Sequence, residues 1–136
     1  MASFLEMFRG ETYALFRIVT GFLFALHGTQ KLLSFPDAVP NIPDWPLRYG
    51  AGPIEIVAGP LIMIGLFTRY SAFVASGLMA FAYWMVHGQK ELFPIQNGGE
   101  LAALYCFALL FISTQGGGMW SVDSLFSRNK NAESSD

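Results

Sequence analysis

Hydrophobic residues are concentrated in four long segments, which are separated by short polar or proline-rich stretches. The segments cover about residues 12–33, 51–67, 70–86 and 98–113. Each approaches the ~17–25 residues that a helix needs to cross a bilayer. The pattern therefore predicts an all-α fold, an integral membrane four-helix bundle that comprises residues 1–127. The remaining residues, 128–136, are polar and are predicted to form a disordered tail.

Ionisable residues interrupt three of these four segments. The longest stretches that contain none of them, in the first, second and fourth segments, are 18–26, 56–67 and 101–113. All three are shorter than the ~17 residues of a minimal span. We therefore expect Arg17 or His27, Glu55 and Glu100 to lie within the membrane or at its edge, where ionisable groups face the bundle interior and tend to pair.

Helices that alternate in direction would collect the polar residues at two ends of the bundle. One end receives an outer polar layer of His27, Lys31, Glu55, His87, Asn97 and Glu100. The opposite end receives a group that we interpret as a structural clamp on the segment after the last helix, the inner clamp of Arg17, Arg69, Asp123 and Trp120. A small excess of Lys and Arg at the clamp end predicts that this end, with both termini, is cytoplasmic.

Two similar motifs suggest that the bundle consists of two related helix hairpins. "HGTQKLLSFP" begins at His27 and "HGQKELFP" begins at His87. Each is followed by a glycine-containing helix start that carries a glutamate, "GAGPIE" and "NGGE". Because the first and third helices would run in the same direction, the two halves would be related by an axis along the membrane normal. Coincidence in a biased composition explains the similarity equally well.

Composition and charge exclude several classes of function. The chain is 53% hydrophobic and only 13% charged, whereas soluble domains average roughly a quarter charged residues. A net charge of −2 spread along the chain offers no basic surface for nucleic acid. The single cysteine, Cys106, excludes an intramolecular disulfide and a thiol pair. The acidic N-terminus has no small-residue cleavage site, so the first helix is expected to be retained.

The outer polar layer suggests a redox hypothesis. His27, Lys31 or His87 would hydrogen-bond the oxygens of a quinone or phenolic ring, and Glu55 or Glu100 would exchange protons. Because the sequence carries no Fe–S spacing, nucleotide motif or thiol pair, electron transfer would need a redox partner subunit or a cofactor that no motif of the sequence indicates. A b-type haem with His27 and His87 as axial ligands is a minor alternative.

Two further hypotheses do not require redox chemistry. In the first, the protein is a non-catalytic assembly or interaction subunit, and pairs of Lys31 with Glu55 and of His87 with Glu100 determine helix order and register. In the second, the protein carries a small solute or protons, as a mid-helix kink at Pro60 and the apparent repeat would allow. Four helices per chain would then need a homodimer to form a path.

The order of the motifs resembles the DoxX family of small four-helix membrane proteins. The resemblance covers nearly the whole chain and rests on Arg17 with "LHGTQKL", "GPIEIVAGPLIMIGLFTRYSA", "QNGGELAALY" and "GGGMWSVDSLF". It implies a subunit of a quinone-linked oxidoreductase of the bacterial cytoplasmic membrane, such as a terminal quinol oxidase or a thiosulfate:quinone oxidoreductase. The chain departs from the family pattern after Glu55, where Ala58-Gly59 is followed by Pro60 in place of a glycine pair.

Overall fold

The computed structural model describes residues 2–37 and 44–133, and all regular secondary structure in this part of the chain is helical. The prediction of an all-α fold is therefore confirmed for these residues. The α-helices are α1 (Ala2–Glu6), α2 (Arg9–Leu33), α3 (Gly52–Ile64), α4 (Thr68–Ala82), α5 (Pro94–Asn97), α6 (Glu100–Gln115) and α7 (Val122–Glu133). A wider, π-helical segment follows α4 at Tyr83–His87. Another lies before α3 at Asp44–Ala51, and it is interrupted by extended backbone at Trp45.

The first hairpin consists of α2 and α3, which run antiparallel with their backbones in contact. A Cβ added to Gly28 would lie 2.5 Å from the backbone nitrogen of Ile56, and one added to Gly59 would lie 2.6 Å from the backbone nitrogen of Ala25. Glycine is required at both positions because no side chain fits between the two helices.

The second hairpin consists of α4 and α6, which pack through small and branched side chains. Ala72 and Ala75 of α4 are fully buried in the same core cluster as Leu109 and Ile112 of α6. The hydroxyl of Ser76 donates a hydrogen bond of 2.8 Å to the carbonyl oxygen of Cys106, which joins the two helices near their middle. Polar side chains commonly link helices in this way in membranes.

Contacts between the hairpins define the two ends of the bundle. Near the start of α2, Tyr13 contacts the carbonyl oxygens of Ile112 and Gly116 at the end of α6. Further along α2, the ring of Phe24 lies 5.7 Å from that of Tyr105 in the first half of α6. Helix directions therefore alternate, and we call the end that holds Lys31 and Glu55 the outer end and the other the inner end.

One helical stretch among the described residues, Leu47–Ile64, is both long and apolar enough to cross a membrane. The helix α6 is also apolar but has 16 residues. Large apolar side chains cover the outward faces of the bundle; Phe107 is 70% exposed and Phe73 is 64% exposed. The helix α3 continues through Pro60 to Ile64.

The last helix, α7, extends into residues 128–136, the segment that the sequence predicts to be a disordered tail. Residues 128–133 continue the helix α7, and 134–136 lie outside the described residues. A polar segment can form a helix because the backbone hydrogen bonds are local, whereas composition reports mainly the lack of a packed core.

Candidate functional site

An ion pair between α2 and α3 lies at the centre of the outer end. Lys31, in the last turn of α2, donates from Nζ to Oε1 of Glu55, in the first turn of α3. The side chain of Glu55 is 1% exposed and that of Lys31 is 17% exposed. The close approach of the helices at Gly28 brings these residues within reach of each other. The pair was among the contacts that the sequence suggested.

The second carboxylate oxygen of Glu55 has no hydrogen-bond partner among the described residues. Oε2 is buried and accepts no hydrogen bond from the part of the chain that the structure describes. An unsatisfied buried polar atom costs about 1–3 kcal/mol, and more when it is charged. A proton on this oxygen, or a donor from a bound molecule, would remove this cost. Glu55 therefore has the arrangement of a group that exchanges a proton or binds a donor.

Two aromatic rings border this ion pair. The ring of His27, one turn before Lys31, lies edge-on to Tyr105 with 5.7 Å between the ring centroids. Tyr105 is 8% exposed and interacts electrostatically with Glu55. We did not predict Tyr105 from the sequence. The sequence pattern that could have identified it is the spacing of Tyr105, Leu109 and Ile112 at i, i+4 and i+7. This spacing places a hydroxyl-bearing ring on the buried face of α6.

His87 and Asn97 form a second, separate network at the outer end. The Nδ1 atom of His87 lies 3.0 Å from the backbone oxygen of Asn97. The suggested pair of His87 with Glu100 is wrong, because His87 faces this carbonyl while Glu100 is exposed and forms no ion pair with another described residue. As the first residue of α6, Glu100 is stabilised in solvent by the positive end of the helix dipole.

The structure does not fit a haem held by the two histidines. His27 packs against Tyr105, whereas His87 packs against Tyr83 and Asn97. The main cavities of the described residues lie along α3 and α4, one of them at the outer end beside Ile54 and Val86, and at the inner end; neither histidine is among the residues that line them.

At the inner end, Arg17 joins two segments through backbone carbonyls. Its side chain is fully buried. Nη1 donates to the carbonyl oxygens of Ile62 and Met63 at 2.7 and 2.6 Å, near the end of α3. Nη2 donates at 2.8 Å to the carbonyl of Trp120, in the segment after α6. The ring of Trp120 itself is 58% exposed, a suitable position for an interfacial anchor.

Arg69 stabilises a helix end in the same way. It donates to the carbonyl oxygens of Ser113, Thr114 and Gln115 in the last turn of α6. Cations are favourable at this position because the last carbonyls of a helix lack partners and carry a partial negative charge.

Asp123 stabilises the start of α4. Its carboxylate accepts hydrogen bonds from the backbone N–H groups of Phe67 and Thr68 at 2.9 and 3.0 Å, and from the Thr68 hydroxyl at 2.8 Å. Partial burial raises the pKa of Asp123, but these hydrogen bonds and the charge of Arg17 outweigh it, so the pKa is below its usual value. Arg17, Arg69 and Asp123 thus bond to helix ends and not to one another.

Comparison with known proteins gives the family. The DoxX family model matches residues 12–88, from α2 to just after the π-helical segment that follows α4. The chain belongs to the DoxX family. This match covers Lys31, Glu55 and His87, and the family is membrane-associated.

Two relatives are proteins of Haemophilus influenzae that are described as uncharacterized. One is 43% identical over 129 residues, which cover 90% of this DoxX chain and 96% of the relative. The other is 29% identical over 100 residues, which cover 73% of this chain and 64% of the relative. No solved structure matches the chain.

Proposed function

We propose that this DoxX protein is an integral membrane four-helix bundle of the bacterial cytoplasmic membrane, with both termini in the cytoplasm. The stretch Leu47–Ile64 supports the proposal by its length and hydropathy. The exposed apolar faces of α2, α4 and α6 suit contact with acyl chains. Arg9 and Arg69 lie at the inner end, which the positive-inside rule would assign to the cytoplasm.

Within that membrane, the proposed function is a quinone-linked component of an oxidoreductase system, in which Glu55 handles the proton. One observation carries this proposal: Glu55 is buried and paired through Oε1, while Oε2 has no partner in the part of the chain that the structure describes. An ionised carboxylate oxygen accepts hydrogen bonds only. It is therefore suited to accept a hydrogen bond from a quinol hydroxyl and one of the two protons that the ring releases when it is oxidised. The second proton would pass to water, and the two electrons would pass to a redox partner subunit.

Lys31 has a distinct role in this proposal. Its ammonium group contacts Oε1, so it offsets the negative charge of Glu55 without occupying Oε2. A buried carboxylate alone would be costly at membrane depth, and the pairing makes the ionised state accessible. When Glu55 takes up a proton, the positive charge of Lys31 remains at the site. The arrangement lets Glu55 alternate between the two protonation states while Lys31 holds it in position.

The test is the substitution Glu55→Gln in protein purified with its native lipid. Gln has nearly the same shape but cannot take up a proton from a ligand. We expect a quinone or a related ring compound, detected by mass spectrometry, in stoichiometric amount in the wild type and lost from Glu55→Gln. Glu100→Gln is the matched control, because Glu100 is exposed at the same end of the bundle. Equal retention of the compound in both variants would refute the role of Glu55.

A non-catalytic assembly subunit is the second candidate. It is favoured because Lys31 and Glu55 join α2 to α3 and neither of them lines the main cavities of the described residues. A structural ion pair can be replaced by apolar residues of similar volume with little loss of stability, whereas removal of one partner is strongly destabilising. Under this candidate, Lys31→Met combined with Glu55→Leu is stable and functional, and the wild type contains no bound ring compound.

A further inference from the structure

The contact of His87 determines which of its ring nitrogens carries the proton. Nδ1 lies 3.0 Å from the backbone oxygen of Asn97. A carbonyl oxygen can only accept a hydrogen bond, so Nδ1 must be the donor. In the neutral ring, Nε2 then has no proton and presents a lone pair. Nε2 has no partner among the described residues, and His87 is half-buried.

The carbonyl that imposes this tautomer is held rigidly. Asn97 is 6% exposed. Its side-chain Nδ2 donates to the backbone oxygen of Glu91 at 3.0 Å and to the hydroxyl of Tyr83 at 3.3 Å. Its Oδ1 accepts from the backbone N–H of Gly99 at 2.8 Å. Every donor and acceptor of the side chain is thus used to hold the turn before α6.

The side chain of His87 also packs closely against the start of α6. A Cβ added to Gly99 would lie 2.9 Å from the Cβ of His87 and 2.7 Å from Cε2 of Tyr83. The backbone of Gly99 therefore rests directly on both side chains. The rings of His87 and Tyr83 are also neighbours, with 6.4 Å between their centroids.

We propose that His87, held in the Nδ1-protonated tautomer by Asn97, is a specificity-determining residue that binds the reduced, hydroxyl-bearing form of a ring ligand in preference to its oxidised form. This inference rests on the proposed function. A quinol hydroxyl can donate to Nε2, whereas a quinone carries only acceptor oxygens and can make no hydrogen bond to a lone pair. The unpartnered Oε2 of Glu55 at the same end is likewise an acceptor when Glu55 is ionised.

The tautomer can be measured directly by NMR, without any ligand. The chain has two histidines, so ¹⁵N-histidine labelling in lipid nanodiscs gives two ring systems, and His27→Gln assigns them. We expect the neutral His87 ring to carry its proton on Nδ1. Asn97→Ala should give a mixture of tautomers, and the exposed neighbour Gln96→Ala should retain the wild-type tautomer. A proton on Nε2 in the wild type would overturn the inference and leave the role of Glu55 intact.

The preference for the reduced form is tested with a decyl-tailed benzoquinol and its quinone. The quinol should shift the Nε2 resonance of His87, and the quinone should not. His87→Phe keeps a planar ring without nitrogen and should weaken quinol binding roughly tenfold while quinone binding is unchanged. Equal shifts by both forms would overturn the preference. If neither form binds although the tautomer is as expected, the proposed function fails, and the ligand assignment fails with it.

Discussion

At the scale of single residues, the inner clamp uses backbone groups as its partners. Asp123 occupies the place of an N-cap residue for α4, although it belongs to a segment 55 positions later in the chain than Thr68. The first N–H groups of a helix have no partner within the helix, and a carboxylate satisfies them favourably. These hydrogen bonds are formed to the ionised side chain, which links the stability of the inner end to pH.

The stability of the protein should therefore fall in acid through Asp123. Folding lowers the pKa of Asp123, so the ionised side chain stabilises the folded protein. This contribution to the free energy of unfolding is fully present above the ordinary carboxyl pKa of about 4, and it is lost as the pH falls through the pKa of the folded state. Asp123 is only partly buried, so screening by solvent limits the effect to about 1 kcal/mol. Asp123→Asn should lower the thermal unfolding temperature at pH 7. Between about pH 5 and 3, the unfolding temperature of this variant should fall less steeply than that of the wild type.

The exposed residue Asp37 provides the control for this measurement. Asp37→Asn should retain the unfolding temperature and the acid decline of the wild type. A decline that is equally steep in Asp123→Asn and in the wild type would show that other carboxyl groups cause it.

At the scale of the helices, the two hairpins share a sequence motif but are joined differently. In the first, glycines bring α2 and α3 into backbone contact, and Lys31 pairs with Glu55. In the second, the corresponding Lys90 and Glu100 are both exposed, and His87 contacts Asn97 instead. The related motifs therefore do not produce related contacts at the outer end.

Backbone contact makes the first hairpin sensitive to a single methyl group. Gly28→Ala would place its Cβ 2.5 Å from the nitrogen of Ile56, so the helices must move apart. We expect a loss of about 2 kcal/mol in the free energy of unfolding, typical of overpacking. Gly77→Ala is the matched control, since a Cβ there meets nothing within 4 Å. The better helix propensity of alanine should leave this variant as stable as the wild type or more so. Equal destabilisation of both variants would contradict the packing argument.

At the scale of the whole molecule, the described helices differ in length, with 25 residues in α2 and 16 in α6, and side chains bind the ends of α3 and α6. The 16 residues of α6 rise about 24 Å, less than the ~30 Å of a hydrocarbon core. Arg17 and Arg69 bind carbonyl oxygens at the ends of α3 and α6. In the proposed membrane orientation, unpaired carbonyl groups at the edge of the hydrocarbon region would be costly, and these hydrogen bonds would allow α3 and α6 to end there.

The proposed orientation predicts which end is accessible from outside the cell membrane. In a Cys106→Ser background, Gln89→Cys lies at the outer end and Ser127→Cys at the inner end, both at exposed positions. A membrane-impermeant maleimide applied to spheroplasts should label Gln89→Cys, and should label Ser127→Cys only after the membrane is permeabilised. The reverse pattern would show that the termini are outside.

Much of this arrangement follows from the sequence alone. Hydropathy along the chain predicted helices over residues 12–33, 51–67, 70–86 and 98–113, because helix formation and apolar length are local properties, and the four longest helices that pack together in the structure are α2, α3, α4 and α6. Alternation of direction then assigned Lys31 and Glu55 to one end and Arg17 and Asp123 to the other, and the order of the motifs indicated the DoxX family.

The partners of these residues were decided only by the tertiary structure. Lys31 reaches Glu55 because glycines remove the space between α2 and α3, whereas Lys90 and Glu100 remain exposed under a similar motif. Arg17 bonds to carbonyl oxygens, which every residue carries, so no pattern of side chains identifies them in advance. The separation of the His87 network from Glu55, and the free oxygen of Glu55, likewise depend on how the two hairpins pack against each other.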